Sequence, residues 1–362
     1  MFWLILVVPV IASIVMWLHM KTQRSNLEWW YPLALFGAGV LVCIVGYFSY
    51  LKFNFYDVEI LSGKVTAKSK DWTSCEHSYQ CNPRKVRSCS GSGKDKRCTT
   101  RTEYDTCYEH PNDWNWVVKT TVGSVYIDRI DRRGSLTPPR WTKVVIGEPA
   151  AAEHVYMNYV KGSDNSLFNN KHRAVEYEDI PKYPSVYDYY RVNRVINNTG
   201  VDTSGWADYL SDKLRTLGKE KQLNIIVVLT KHPVEYADSL FAKWGGGKKN
   251  DVVMVYGVSP EGKVSWFRST SFADGMNNQA LHIRLRNEST DREINLDLLA
   301  EQVDTISKEY TRLEMKEFEY LKYSVSVPIW WILLTIILCV GSIYGLGLVL
   351  MNHMSYNRSS RW

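Results

Sequence analysis

Three stretches of the chain contain no Asp, Glu, Lys or Arg: residues 2–20 (FWLILVVPVIASIVMWLHM), 32–51 (PLALFGAGVLVCIVGYFSYL) and 328–351 (PIWWILLTIILCVGSIYGLGLVLM). Each has about the 20 residues a helix needs to cross a bilayer core, whereas shorter apolar runs mark buried core helices. The pattern predicts three transmembrane α-helices. A cleaved signal peptide fits the first stretch poorly, because it has no basic n-region, no clear small-residue cleavage site and too long an apolar run. Trp17, Trp29, Trp30, Tyr31, Trp330 and Trp331 sit at the ends of these stretches, as interfacial aromatics do.

Between the spans the periodicity changes twice. Residues 52–187 alternate apolar and polar positions, as in Val58, Ile60 and Val65 and in Trp114, Trp116 and Val118. This period of two predicts a β-rich module, with a cysteine-rich basic insertion at 75–107. Residues 188–323 alternate helix and strand patterns. Trp206, Leu210, Leu214 and Leu217 form one stripe, with Thr203 as the expected N-cap. The run 223–229 (LNIIVVL) has the continuous apolarity of a buried strand. A helix led by Pro233 carries Tyr236, Leu240 and Trp244 and ends at Gly245. Residues 251–258 and 263–272 predict a hairpin, and Asn295 caps a long helix through Leu299, Val303, Ile306, Tyr310 and Leu313, running towards the third span. The order α-β-α-β-β-α predicts a sheet with helices on its faces.

Orientation follows from the flanks. Lys21 and Arg24 stand against Glu28 in the first loop, and Arg358 and Arg361 have no acid beside them. The positive-inside rule makes both segments cytoplasmic. The N-terminus and residues 52–325 then lie outside, which in a bacterial inner membrane means the periplasm. No span has an ionisable residue at its centre, which argues against an ion or proton pathway. Gly341-x-x-x-Gly345 permits close helix packing, and it suits a three-helix bundle and a homo-oligomer equally.

Five of the seven cysteines fall in 75–107: Cys75, Cys81, Cys89, Cys98 and Cys107. In an oxidising compartment this favours disulfides, with three connectivities open and one cysteine left over. A zinc site is the alternative. His77 and His110 could join the thiols, but the spacing lacks short C-x2-C pairs. The segment CSGSGKDKRC (89–98) resembles a phosphate loop only superficially. Asp95 stands where a hydroxyl residue is needed, and no strand is expected before it or helix after it. Around it, Arg84, Lys85, Arg87, Lys94, Lys96, Arg97 and Arg101 face Asp95 alone, a net +6 that equals the charge of the whole chain. This is the expected docking patch for anionic lipid headgroups or another envelope protein. Nucleic acid is disfavoured, because no aromatic residue interleaves the cations for stacking. His232, Asp251 and Asp274 lie near strand ends and could meet as an acid–base or metal site. His154 and His172 are read as isolated surface residues, and GGGKK (245–249) as a mobile helix exit.

Segments RVNRVINNTG (191–200), WADYLSDKLRTLGKEKQLNIIVVL (206–229) and EYADSLFAKWGGGKKNDVVMVYGVSPEGKV (235–264) make residues 191–323 resemble the TPM domain family. That resemblance implies helices around a small sheet. Some members have phosphatase activity or bind a divalent metal such as Ca2+; others are accessory proteins of membrane complexes. The family's Asp-Asn-Gly before the second strand reads here Asn250-Asp251-Val252. Its Gly-x-Gly and following acid, after the third strand, read Arg268-Ser269-Thr270-Ser271, with Asp274 nearby. These departures weigh against metal-assisted hydrolysis at Asp251 and Asp274. The cysteine-rich half, with CYEH (107–110) and PPRW (138–141), resembles membrane proteins of large tailed bacteriophages. The combined expectation is a non-enzymatic, extracytoplasmic interaction or accessory module without a cofactor. A membrane-anchored TPM-type phosphatase is the runner-up.

Overall fold

The computed structural model describes residues 5–23, 28–90, 97–163, 175, 177–273, 276–323 and 327–359. Lys94, Lys96, His172 and Asp274 lie outside the described residues, as does the side chain of Arg97.

Helices α1 (Val7–Gln23) and α2 (Tyr31–Phe55) open the chain, and α2 passes without a linker into β1 (Tyr56–Thr73). The strands β2 (Ser78–Ser90) and β3 (Arg97–Tyr108) form a hairpin of their own, followed by β4 (Asp113–Thr120) and β5 (Gly123–Ile127). A helical turn α3 (Pro139–Thr142), β6 (Pro149–Met157) and a second turn α4 (Tyr159–Gly162) complete the β-rich module. The ribbon of β7 (Val186–Tyr187) and β8 (Arg191–Val192) leads into β9 (Val195–Asn197), α5 (Trp206–Glu220), β10 (Asn224–Thr230), α6 (Glu235–Lys243), β11 (Asp251–Val258) and β12 (Val264–Ser271). Helices α7 (Gln279–Ser289) and α8 (Leu296–Glu309), a 3-10 segment (Met315–Tyr323) and α9 (Ile329–Ser359) end it.

The first sheet has the antiparallel order β5-β4-β1-β6. The long β1 pairs with β6 through its first half and with β4 through its second, with an irregularity between Val65 and Ala67. The second sheet has the order β12-β11-β10-β9, with β9, β10 and β11 parallel and β12 antiparallel. Every residue of β10 is buried, because helices cover both faces, as parallel strands require. Ile225, Val227, Leu229, Val252, Met254 and Tyr256 pack against α5, α7 and α8. Ile226, Val228, Val253 and Val255 pack against α6.

Three local expectations are corrected. Helix α5 is entered from Gly205 at φ +77°, not capped by Thr203, whose carbonyl accepts from Trp206 N–H. Helix α8 is capped by the Asn295 side chain as expected, but it stops at Glu309 because Tyr310 turns extended (ψ 132°), so it does not run into α9. A strand, β2, does run into the 89–98 segment, through Ser90.

Helices α2 and α9 are long and apolar enough to cross a membrane; α1 is a shorter apolar helix. The three pack on Met16, Met20, Leu35, Cys43, Cys339 and Ile343. Ile11, Leu41, Phe48, Ile337 and Val349 face outward, an apolar exterior that lipid accommodates and water does not. Close approach inside the bundle uses Gly39 against Ile343, Gly46 against Thr335 and Gly347 against Met16. At Gly341 and Gly345 an added Cβ would meet nothing within 4 Å among the described residues, so these two glycines are not where the described helices approach closely.

Helix α5 sits directly on β1. A Cβ at Gly218 would lie 2.3 Å from the Ser62 carbonyl oxygen. Gly218→Ala gains about 1 kcal/mol of helix propensity, but overpacking against backbone costs about 1–3 kcal/mol. We expect the variant to melt below wild type in detergent. A melting temperature at or above wild type would mean that α5 is not seated on β1 in this way.

Candidate functional site

Asp57 and Glu59 are two residues apart on β1, so they share one face of the strand, and both are buried, with Glu59 only 1% exposed. A buried carboxylate is tolerated only if it is paired. The partners come from the loop after α6. Lys248 Nζ lies 2.6 Å from Asp57 Oδ1, and Lys249 Nζ lies 3.1 Å from Glu59 Oε1. Arg312 and His154 add contacts to Glu59 at 3.2 and 3.0 Å, so His154 is not isolated. Asn158 Nδ2 donates to Asp57 at 2.9 Å, and Asn250 Nδ2 donates to the Ile60 carbonyl at 2.7 Å. Burial raises the Asp57 carboxyl, but Lys248, Asn158 and Lys161 together hold it below the usual carboxylate range.

The loop that delivers these lysines is built by glycine. Gly245, Gly246 and Gly247 have φ of +70°, +80° and +83°, values that side chains resist. GGGKK is therefore a shaped loop, not a mobile exit. The anions it meets belong to this chain.

Asp251, at the start of β11, is fully buried under the same loop. Its carboxylate accepts from Asn224 Nδ2, the Tyr183 hydroxyl and Lys248 N–H, each at 2.9 Å. Burial pushes it up to about 6, against the opposing pull of those donors and of the Lys248 charge. His232 follows the other end of the sheet. Asn224 is in register with Asp251, so the seven-residue length of β10, roughly 20 Å, separates Asp251 from the end that His232 follows. The two do not form a common site. His232 instead bonds Asp179 at 2.7 Å and stacks on Tyr236. His282 bridges two hydroxyls, Ser269 at 2.8 Å and Ser271 at 3.0 Å, and Ser271 is itself buried and bonded by Asn278.

The cysteine-rich segment is a hairpin with mostly exposed side chains along β2. A two-stranded ribbon without an apolar face is marginal in water. Disulfides Cys81–Cys107 and Cys89–Cys98 staple it, and Cys75 is free. The basic patch is partly neutralised by acids of β3, across the hairpin for Arg84 and along the same strand for Arg101. Arg84 lies 3.6 Å from Glu103 and 3.5 Å from Asp105, and Arg101 bonds Glu103 at 2.7 Å. Glu103 and Asp105 lie just past the 84–101 window, and cross-strand register brings them back onto it.

At the hairpin's base Cys75, His110 and Asp113 converge, their ligand atoms all within 4.8 Å of one another. Of the other zinc candidates, Cys81, Cys89, Cys98 and Cys107 are consumed by the disulfides, and His77 Nε2 lies 3.2 Å from the Arg132 carbonyl. Burial raises Asp113, but it is outweighed by the Glu76 N–H and the Arg129 guanidinium, with smaller contributions from the Cys75 and His110 side chains. The carboxyl is held below its ordinary range.

Comparison with known proteins finds no family model that matches the chain, and no curated protein or solved structure that matches it significantly.

The raised Asp251 carboxyl has a defined consequence for stability. Its folded value of about 6 exceeds an unfolded value near about 3.9. Between the two the folded chain keeps a proton that the unfolded chain releases, so this residue's contribution to stability falls as pH rises from about 4 to about 6. Asp251→Asn cannot titrate. Its stability relative to wild type is expected to improve across that window by up to about 3 kcal/mol, read from denaturant unfolding at pH 4, 5, 6 and 7. A pH-independent difference would contradict the assignment.

Proposed function

We propose that this chain is a multi-pass inner-membrane protein whose 52–325 region faces the periplasm and acts as a non-enzymatic interaction or accessory module. The β2–β3 hairpin is its docking arm. The observation that carries the reading is a polar ribbon, stapled twice by disulfides and exposed along β2. Such staples persist in oxidising compartments, which supports the periplasmic side and so the three-span topology. The partner is an acidic envelope protein. The hairpin's base follows Thr73, the far end of the 18-residue β1, so roughly 55 Å of extended strand separates it from α2. That spacing favours a partner in the periplasm over headgroups of the same membrane.

The likeness to TPM domains supports an accessory role more than a hydrolytic one. Asp251, which a metal-assisted phosphatase would need to expose, is enclosed by Tyr183, Asn224 and Lys248.

A photo-crosslinking residue in place of Val86, activated in intact cells, tests the reading. We expect a defined protein adduct that disappears when Lys85→Glu and Arg87→Glu are combined. In the same cells, made into spheroplasts, an impermeant maleimide is expected to label Cys81, Cys89, Cys98 and Cys107 only after reduction. An adduct indifferent to charge reversal, crosslinks to lipid alone, or labelling that requires lysis would each overturn it.

A further inference from the structure

We propose that Cys75, His110 and Asp113 form a zinc site at the foot of the hairpin. The donor set suits the metal: a thiolate, an imidazole and a carboxylate are the ligands Zn2+ takes, at bond lengths of about 2.0–2.3 Å. A tetrahedron with such bonds has edges of roughly 3.3–3.8 Å. Cys75 Sγ lies 3.8 Å from His110 Nδ1, and His110 Nδ1 lies 3.3 Å from Asp113 Oδ1. Both edges match.

Two further observations point to a ligand. Asp113 is fully buried, and among the described residues its Oδ1 has the 3.3 Å contact with His110 Nδ1 but no hydrogen bond of good geometry. Such an atom is costly unless something else satisfies it. Cys75 is buried, and it alone of the five clustered cysteines stays out of a disulfide. A catalytic relay explains the arrangement less well. In a thiol–imidazole–carboxylate triad the two partners use different ring nitrogens, whereas here both contacts converge on Nδ1. One ring nitrogen close to both other donor atoms is what coordination of all three to one ion requires.

The cluster adjoins a cleft lined by Ser74, Tyr108, Glu109 and Pro111, which leaves room for water as a fourth ligand. Binding would deprotonate the Cys75 thiol, with the proton released to solvent. The three ligands come from just before β2, just after β3 and the first residue of β4. A metal there would tie both feet of the hairpin to the first sheet and fix the direction in which it projects. The site stands whether or not the hairpin docks an acidic partner.

The test uses the full-length protein in detergent, stripped with chelator and kept free of reductant so that the disulfides remain. Co2+ serves as the probe. We expect one equivalent to bind with thiolate-to-cobalt charge-transfer absorption and tetrahedral visible bands, and Zn2+ to displace it. Cys75→Ser is expected to abolish the charge-transfer band. Asp113→Asn is expected to weaken binding by more than about tenfold, with His77→Ala close to wild type. No bound cobalt in the wild-type protein, a spectrum without thiolate ligation, or a band that survives Cys75→Ser would overturn the site. The wild-type measurement does so without depending on how any variant folds.

Discussion

Two carboxylates with nowhere to go organise this molecule. Asp57 and Glu59 are fixed on β1 within four residues of the end of α2, and both are buried. They are neutralised from far along the chain: Lys248 is 191 residues from Asp57, and Arg312 is 253 residues from Glu59. A buried pair adds little net stability, because desolvation offsets most of the attraction. Its loss is another matter, since an unpaired charge would remain inside. The pairs therefore act on specificity. They require the 245–250 loop to close over β1, and they make the β-rich module and the α/β domain a single body.

That allocation of charge bears on function. Lys248, Lys249, Arg312 and Arg194 are engaged within the body. On the hairpin, Arg84 and Arg101 are met by Glu103 and Asp105, while Lys85 and Arg87 project from a strand with largely exposed side chains. The hairpin has no core, so covalent staples replace packing, at roughly 2–4 kcal/mol each in the chain-entropy account. A rigid body thus holds a stiff basic arm at the end of a long strand, and the Cys75 cluster lies where arm and body join.

What the sequence made legible was whatever is encoded locally. The apolar blocks announced their helices by length, and β10 and β11 by continuous apolarity. Asn295 announced the start of α8, and five clustered cysteines a stapled segment. What it hid was pairing at long range. The lysines after three glycines read as a mobile exit because the carboxylates that their ammonium groups meet lie far away, on the first strand. The length of β2 and β3 was obscured because both faces are polar, leaving no period of two. Helix α7 gives little signal because only Leu281 and Leu285 of its apolar residues are buried, while Ile283 is exposed. Asp113 was passed over as a ligand because it lies beyond the cysteine cluster, and only the return of β3 to the base brings it to Cys75.

The most direct test of the central constraint is a double-mutant cycle on Asp57 and Lys248, by denaturant unfolding of the detergent-solubilised protein. Asp57→Asn and Lys248→Met each remove one partner of a buried pair and should cost about 3–5 kcal/mol. The double variant, in which neither position of this pair is charged, should recover more than about 1 kcal/mol relative to their sum. Costs that add to within about 0.5 kcal/mol would mean that the two side chains act independently and that the body is held together by something else.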